Sequence, residues 1–207
     1  MDNPPLLVTI ILAAGESRRM GEPKLFLPIR GESMLRKAVF AALDLGHPLV
    51  VVTGAYHDQI KDHLSDIDGL QLVFNPAWST GMSTSIACGI EVALSYQPRG
   101  FFITLADQPS MSVESLGAID AIFLEDQSRI VATYYPERLG VPAIFPARYA
   151  DQLLNGKGPN GARQLIAAAG GRVKAVKFHV PPIDIDTPEE YQRYMSEYQR
   201  TKEPKNK

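Results

Sequence analysis

One cysteine, Cys88, stands among 207 residues, so the chain can close no internal disulfide and build no cysteine-based metal centre. Such sparing use fits a reducing cytoplasm. An excess of either charge is missing too. Lysine and arginine number 21 against 23 aspartates and glutamates, and a net charge of −2 offers no general basic field to nucleic acid or an anionic membrane. Long apolar runs are absent: Leu6 to Leu12 is too short to cross a bilayer, and MDNPP at the start carries no cationic leader. Neither secretion nor membrane insertion is expected. The single tryptophan, Trp78, precedes a turn with no basic stripe beside it and reads as packing rather than base stacking.

What is present is a globular composition, 45% hydrophobic and 21% charged, without repeats or low-complexity tracts in the body. This length suits one domain, taken as residues 1–200, with a polar tail over 201–207. Leu6 to Leu12 (LLVTIIL) is the continuous β-branched run of a central parallel strand covered on both faces. Pro48 to Thr53, Leu70 to Phe74, Phe101 to Ala106, Ile130 to Tyr134, Val141 to Phe145 and Val173 to Val180 read as further strands. A turn from Pro136 to Gly140 joins the fifth and sixth.

Helices are expected over Met34 to Leu45 behind the cap Ser33, Tyr56 to Leu64, Ser83 to Ala93, behind the cap Ser112, over Gln164 to Ala169, and to about Tyr198 after DIDTPEEY. His57 and His63 are assigned to a solvated polar face, not to a metal site. The alternation predicts an α/β fold, a single-domain Rossmann-like three-layer sandwich with a mostly parallel doubly wound sheet.

In such sheets ligands bind beyond the carboxyl ends of the strands. The first strand hands over there to LAAGESRRMGEPK, Leu12 to Lys24, longer than an ordinary strand-to-helix connection. Ala13, Ala14 and Gly15 let a backbone approach a ligand, and Arg18, Arg19 and Lys24 supply positive charge. Gly21 is followed by Glu22-Pro23, so this is no Walker A loop, and Ser17 breaks the dinucleotide fingerprint. A polyphosphate remains the favoured ligand.

Asp107 ends the apolar run FFITLAD, where it serves either as a turn residue or as a Mg2+ ligand. In DIDTPEE, Thr187, Pro188 and Glu190 form a capping box, which leaves Asp184 and Asp186 unexplained on one strand face. Asp186 is preferred as second metal ligand. Ser85, near a helix start, is assigned a base or ribose contact, against simple capping by Ser83.

Taken in order, LAAGESRRMGEPK, NPAWSTGMSTSI, LADQP, GVPAIF, GAR and DIDTPEEY resemble the MobA-like nucleotidyltransferases, most closely the molybdenum cofactor cytidylyltransferase branch. The resemblance spans Leu12 to Tyr191 and implies a fold of the nucleotide-diphospho-sugar transferase type. It also implies transfer of a nucleoside monophosphate, CMP first and GMP as alternative, from an NTP to the terminal phosphate of molybdopterin, with release of pyrophosphate. Carried over, Leu12, Ala13, Ala14 and Gly15 hold the nucleotide, Arg19 and Lys24 its phosphates, Asn75 and Ser85 the nucleoside, and Asp107 with Asp186 the Mg2+.

Ala14 stands where the guanylyl branch has glycine, which leaves less room near the base and favours CTP over GTP. Val141 and Pro159 depart from the branch, where a polar residue and a carboxylate often stand on the acceptor side. The acceptor is therefore open between molybdopterin and another phosphorylated small molecule, such as a sugar or polyol phosphate. A cofactor-binding chaperone serving a molybdoenzyme is the expectation of another class, disfavoured by intact Lys24 and Asp107.

Overall fold

The computed structural model describes residues 6–156, 161–179 and 182–202. Seven strands form one sheet: β1 Leu7–Ala13, β2 Leu49–Thr53, β3 Leu70–Phe74, β4 Gly100–Leu105, β5 Ile130–Tyr135, β6 Arg138–Pro146 and β7 Val173–Val176. Their order across the sheet is β3-β2-β1-β4-β6-β5-β7. All neighbours run parallel except β6, which is antiparallel to both β4 and β5. The seven residues of β1 are all buried, as the unbroken apolar run requires of a strand covered on both faces.

The α-helices are α1 Met34–Leu43, α2 His57–His63, α3 Met82–Ala93, α4 Val113–Glu125, α5 Ala150–Leu154, α6 Ala162–Ala169 and α7 Pro188–Lys202, and Pro28–Ile29 with Glu32–Ser33 forms a separate two-stranded ribbon. Side chains alternate across β1. Val8, Ile10 and Leu12 pack with α3, α5 and α6, whereas Ile11 and Ala13 meet α1 and α2, and Leu7 meets α4. That division makes the three layers. Ser33 accepts from Arg36 N at 3.1 Å and Ser112 from Ser115 N at 3.3 Å, so both expected caps start their helices.

Five local expectations need correction. β6 begins at Arg138, so its hairpin with β5 turns more tightly than a loop to Gly140. α3 is capped by Gly81, and Ser83 is buried one residue inside the helix. His57 and His63 are not simply solvated: His57 Nδ1 lies 2.6 Å from Thr53 Oγ1 and His63 Nε2 2.7 Å from Ser33 Oγ. Residues 182–186 form no strand, so Asp184 and Asp186 do not share a strand face. β7 ends at Val176; Val180, Gly158 to Asn160 and the tail beyond residue 202 lie outside the described residues. Among the described residues no helix is long and apolar enough to cross a membrane.

Candidate active site

β1 delivers the loop that follows it to the carboxyl edge of the sheet, next to the end of β4, with Leu12 paired to Leu105. The loop turns through Ser17 at φ 57°, where Met20 N donates to Ser17 O at 2.9 Å and Lys24 N to Ser17 Oγ at 3.3 Å. Its flank is tied down twice. Tyr56 donates its hydroxyl to Glu16 O at 2.8 Å, and Ala55 N donates to Ala14 O at 3.2 Å. Gly54 permits this approach, because a Cβ there would fall 2.5 Å from Ala14 O and 2.6 Å from Trp78 Cβ. Trp78 thus packs, as its setting implied.

A 3-10 turn over Lys24–Phe26 aims Lys24 inward, leaving its side chain 10% exposed. Lys24 Nζ donates to Asp107 Oδ2 at 2.5 Å and to Asp186 Oδ1 at 2.7 Å; Arg19 Nη2 donates to Asp186 Oδ2 at 2.6 Å. Burial would lower the Lys24 pKa, but the charges and hydrogen bonds of Asp107 and Asp186 together outweigh it and hold the ammonium above the ordinary lysine value. For Asp186 burial acts upward, and Lys24 and then Arg19 overcome it, keeping the carboxyl below its ordinary value. These groups line a cavity of about 280 Å³ with Leu12, Ala13, Gly15, Ser17 and Arg18.

Asp107 Oδ1 is buried without a hydrogen-bond partner, an orphaned hard oxygen. Two carboxylates supplemented by phosphate oxygens and water suit a divalent cation such as Mg2+. Among the described residues no group of three or more His, Cys, Asp or Glu side chains is placed to hold a metal.

A second cavity, of about 220 Å³, opens on the other side of Asp107 and is lined by Met82, Gln108, Tyr135, Arg138, Val141, Arg163 and Asp184, among others. Gln108 is buried at 2% exposure and donates from Nε2 to Asp184 Oδ1 at 2.7 Å and to the Tyr135 hydroxyl at 3.0 Å. Tyr135 in turn donates to Val141 O at 2.6 Å. That proton direction obliges the tyrosine oxygen to accept, which fixes the amide orientation. Burial first, then the charge of Asp107, raises the Asp184 pKa.

The structure thus gathers Leu12, Ala13, Gly15, Arg19, Lys24, Asp107 and Asp186 around one cavity, with Ala14 bracing its wall. Asn75 and Ser85 are not among them. Both are buried, and Asn75 Nδ2 donates to Ser85 Oγ and to Thr84 Oγ1 at 3.0 Å each while its Oδ1 accepts from Ala77 N at 2.9 Å. They brace the start of α3. Gln108 and Tyr135 carry no signal of this network in the sequence. Only Asp184 left a signal, as the carboxylate the capping box does not use.

Residues 9–174 match the MobA-like NTP transferase domain. The chain belongs to this family. Among its relatives is the purine catabolism protein PucB of Bacillus subtilis, 34% identical over 90% of this chain and 95% of that protein. The molybdenum cofactor cytidylyltransferase of Escherichia coli is 27% identical over 51% of this chain and 53% of its own. The fold recurs in the crystal structure of Rv0371c from Mycobacterium tuberculosis in complex with manganese, with a TM-score of 0.69 at 25% identity, covering 92% of this chain and 98% of that one. This MobA-like protein is a nucleotidyltransferase.

Proposed function

We propose that the enzyme transfers CMP from CTP to the terminal phosphate of molybdopterin, releasing pyrophosphate, with Mg2+ held by Asp107 and Asp186. The observation that carries the reading is the Lys24 ammonium held between those two carboxylates behind the backbone of Leu12 to Gly15. Bringing a phosphate monoester against the α-phosphorus of an NTP joins two anions, so alignment and charge neutralisation make up most of the catalysis. Lys24 and Arg19 supply positive charge to the phosphates, and Arg19, with its side chain 69% exposed, is free to follow the departing pyrophosphate.

An oxygen of the acceptor phosphate forms the new bond to the α-phosphorus as the bond to the β-phosphate oxygen breaks. No protein base is needed, because a phosphate monoester is already largely ionised at neutral pH. Asp107 and Asp186 would hold Mg2+, which would supply further neutralisation of phosphate charge. A cytoplasmic setting and delivery to a molybdoenzyme client complete the reading.

A second reading keeps the chemistry and replaces molybdopterin with a sugar or polyol phosphate. Val141, an apolar residue lining the second cavity where the cytidylyl branch often has a polar one, favours it. Two measurements test both. Thermal stabilisation by each NTP with Mg2+ identifies the donor, CTP being expected to shift the transition most and GTP less. Pyrophosphate release with each acceptor then identifies the partner substrate. Asp107→Ala should stay folded and lose release by about 10³-fold or more; wild-type turnover in that variant would remove the metal assignment.

A further inference from the structure

Two short stretches form the wall between the cavities, and each divides its side chains between them. In the first, Asp107 lines the cavity with Lys24, while the next residue, Gln108, lines the one with Arg138 and Arg163. In the second, Asp186 faces the former and Asp184 the latter. Ile185 between them is fully buried, and its N–H donates to Asp107 O at 3.1 Å, which pins the stretch to the end of β4 and sends its two carboxylates to opposite sides.

Helix capping does not need Asp184: Glu190 accepts from Asp186 N and Thr187 N, and Thr187 Oγ1 accepts from Glu190 N. Nor does an ion pair account for it. Its Oδ1 takes the Gln108 amide, Gln108 is held by Tyr135, and Oδ2 has no protein donor among the described residues. A partly buried carboxylate fixed by a buried amide, in a cavity with two guanidinium groups, is equipped to read a ligand carrying both a hydrogen-bond donor and an anionic group.

We propose that Asp184 is the specificity-determining residue of the acceptor subsite: its free oxygen takes an N–H or O–H donor from the body of a phosphorylated acceptor, and Arg138 and Arg163 attract its charge. This rests on the nucleotidyltransferase reading above and adds to it the residue that selects the acceptor. The division of the wall gives the two aspartates separate duties. Asp186 serves the nucleotide and metal, and Asp184 serves the acceptor alone. A carboxylate there prefers acceptors with a donor-bearing ring edge or a hydroxyl and disfavours those presenting only oxygen acceptors.

The test measures binding without turnover. Wild type, Asp184→Ala and Asp184→Asn are titrated by thermal shift with molybdopterin, ribose 5-phosphate and erythritol 4-phosphate, and separately with CTP and Mg2+. Asparagine keeps an oxygen for the Gln108 amide, so that variant remains informative if alanine fails to fold. At least one acceptor should stabilise wild type, and its affinity should fall about tenfold in Asp184→Ala and less in Asp184→Asn. The CTP response should stay within about twofold in both. Molybdopterin as the responding probe assigns the donor to a ring N–H; a response to the other two assigns it to a hydroxyl.

Unchanged acceptor affinity in the variants, an equal loss of CTP and acceptor binding, or no acceptor stabilising wild type would each overturn the assignment. Failure of the nucleotidyltransferase reading looks different: the acceptor binds, Asp184 matters, and CTP with Mg2+ still yields no pyrophosphate.

Discussion

At the residue scale the decisive side chain is Lys24, whose ammonium is shared by Asp107 and Asp186. Lys24→Met leaves those carboxylates facing one another with only Arg19 on the Asp186 side. We expect loss of pyrophosphate release together with about 2 kcal/mol of folding stability at neutral pH, below the roughly 3–5 kcal/mol for a fully buried pair because both acids keep some solvent contact. The pH dependence follows from the two shifts. Lys24 is raised, so its contribution is complete below the ordinary lysine pKa and is lost only as pH rises through the higher folded value. Asp186 is lowered, so its contribution is present above the ordinary carboxylate pKa and is lost as pH falls through the lower folded value. The stability difference between wild type and Lys24→Met should therefore be flat around neutrality and shrink at an acid pH below the ordinary carboxylate value, where a protonated Asp186 no longer needs the cation. Urea titrations at both pH values check this, and an equal difference at the two would mean that the ion cluster is not its source.

At the element scale the helices differ in how closely they seat on the sheet, and two helical glycines separate the cases. A Cβ on Gly89 of α3 would lie 2.6 Å from Ile10 Cγ2 and 3.0 Å from Val52 Cγ2, so this helix rests directly on β1 and β2. A Cβ on Gly117 of α4 would meet nothing within 4 Å. Alanine favours a helix over glycine by about 1 kcal/mol at either position. At Gly117 that preference should appear as a gain of about 0.5–1 kcal/mol. Overpacking should reverse the sign at Gly89, with a loss of about 1–3 kcal/mol. Chemical denaturation of the two variants settles it, and a gain at Gly89 would mean that α3 can lift from the sheet without penalty. Neither contact is legible in the sequence, where both glycines are simply helix interior residues. The caps were legible, because Ser33, Ser112 and the Thr187 to Glu190 box act within one turn. The antiparallel pairing of β6 with β5 follows from the short turn read between them, but the insertion of β6 between β4 and β5 was not legible, since apolar runs do not name their neighbours.

At the scale of the whole molecule the site is assembled from distant parts of the chain: Arg19 and Lys24 follow β1, Asp107 follows β4, and Asp186 precedes α7. Asp186 was readable as a residue the capping box does not use, and Asp107 as either a turn residue or a ligand at the end of a strand. The sorting of Asp184 and Asp186 into separate cavities was hidden, because it depends on the backbone hydrogen bond of Ile185 to Asp107 across 78 positions of sequence, from 107 to 185. The same long-range ties lead us to expect that the elements they join unfold together. β1 contributes to the cores on both faces of the sheet, and Met20, Ile29, Met34 and Ile185 form a further cluster with Tyr191 and Met195 of α7, so the C-terminal segment closes over the opening loop. Loss of any layer then strips cover from β1. The expected outcome is a single cooperative unfolding transition, with Trp78 fluorescence, which reports the packing of Gly54 against the opening loop, coinciding with far-UV circular dichroism, which reports the helices throughout. A fluorescence midpoint at lower denaturant would mean that the loop and its neighbours release before the sheet, and that the nucleotide site is a separately melting part of the fold.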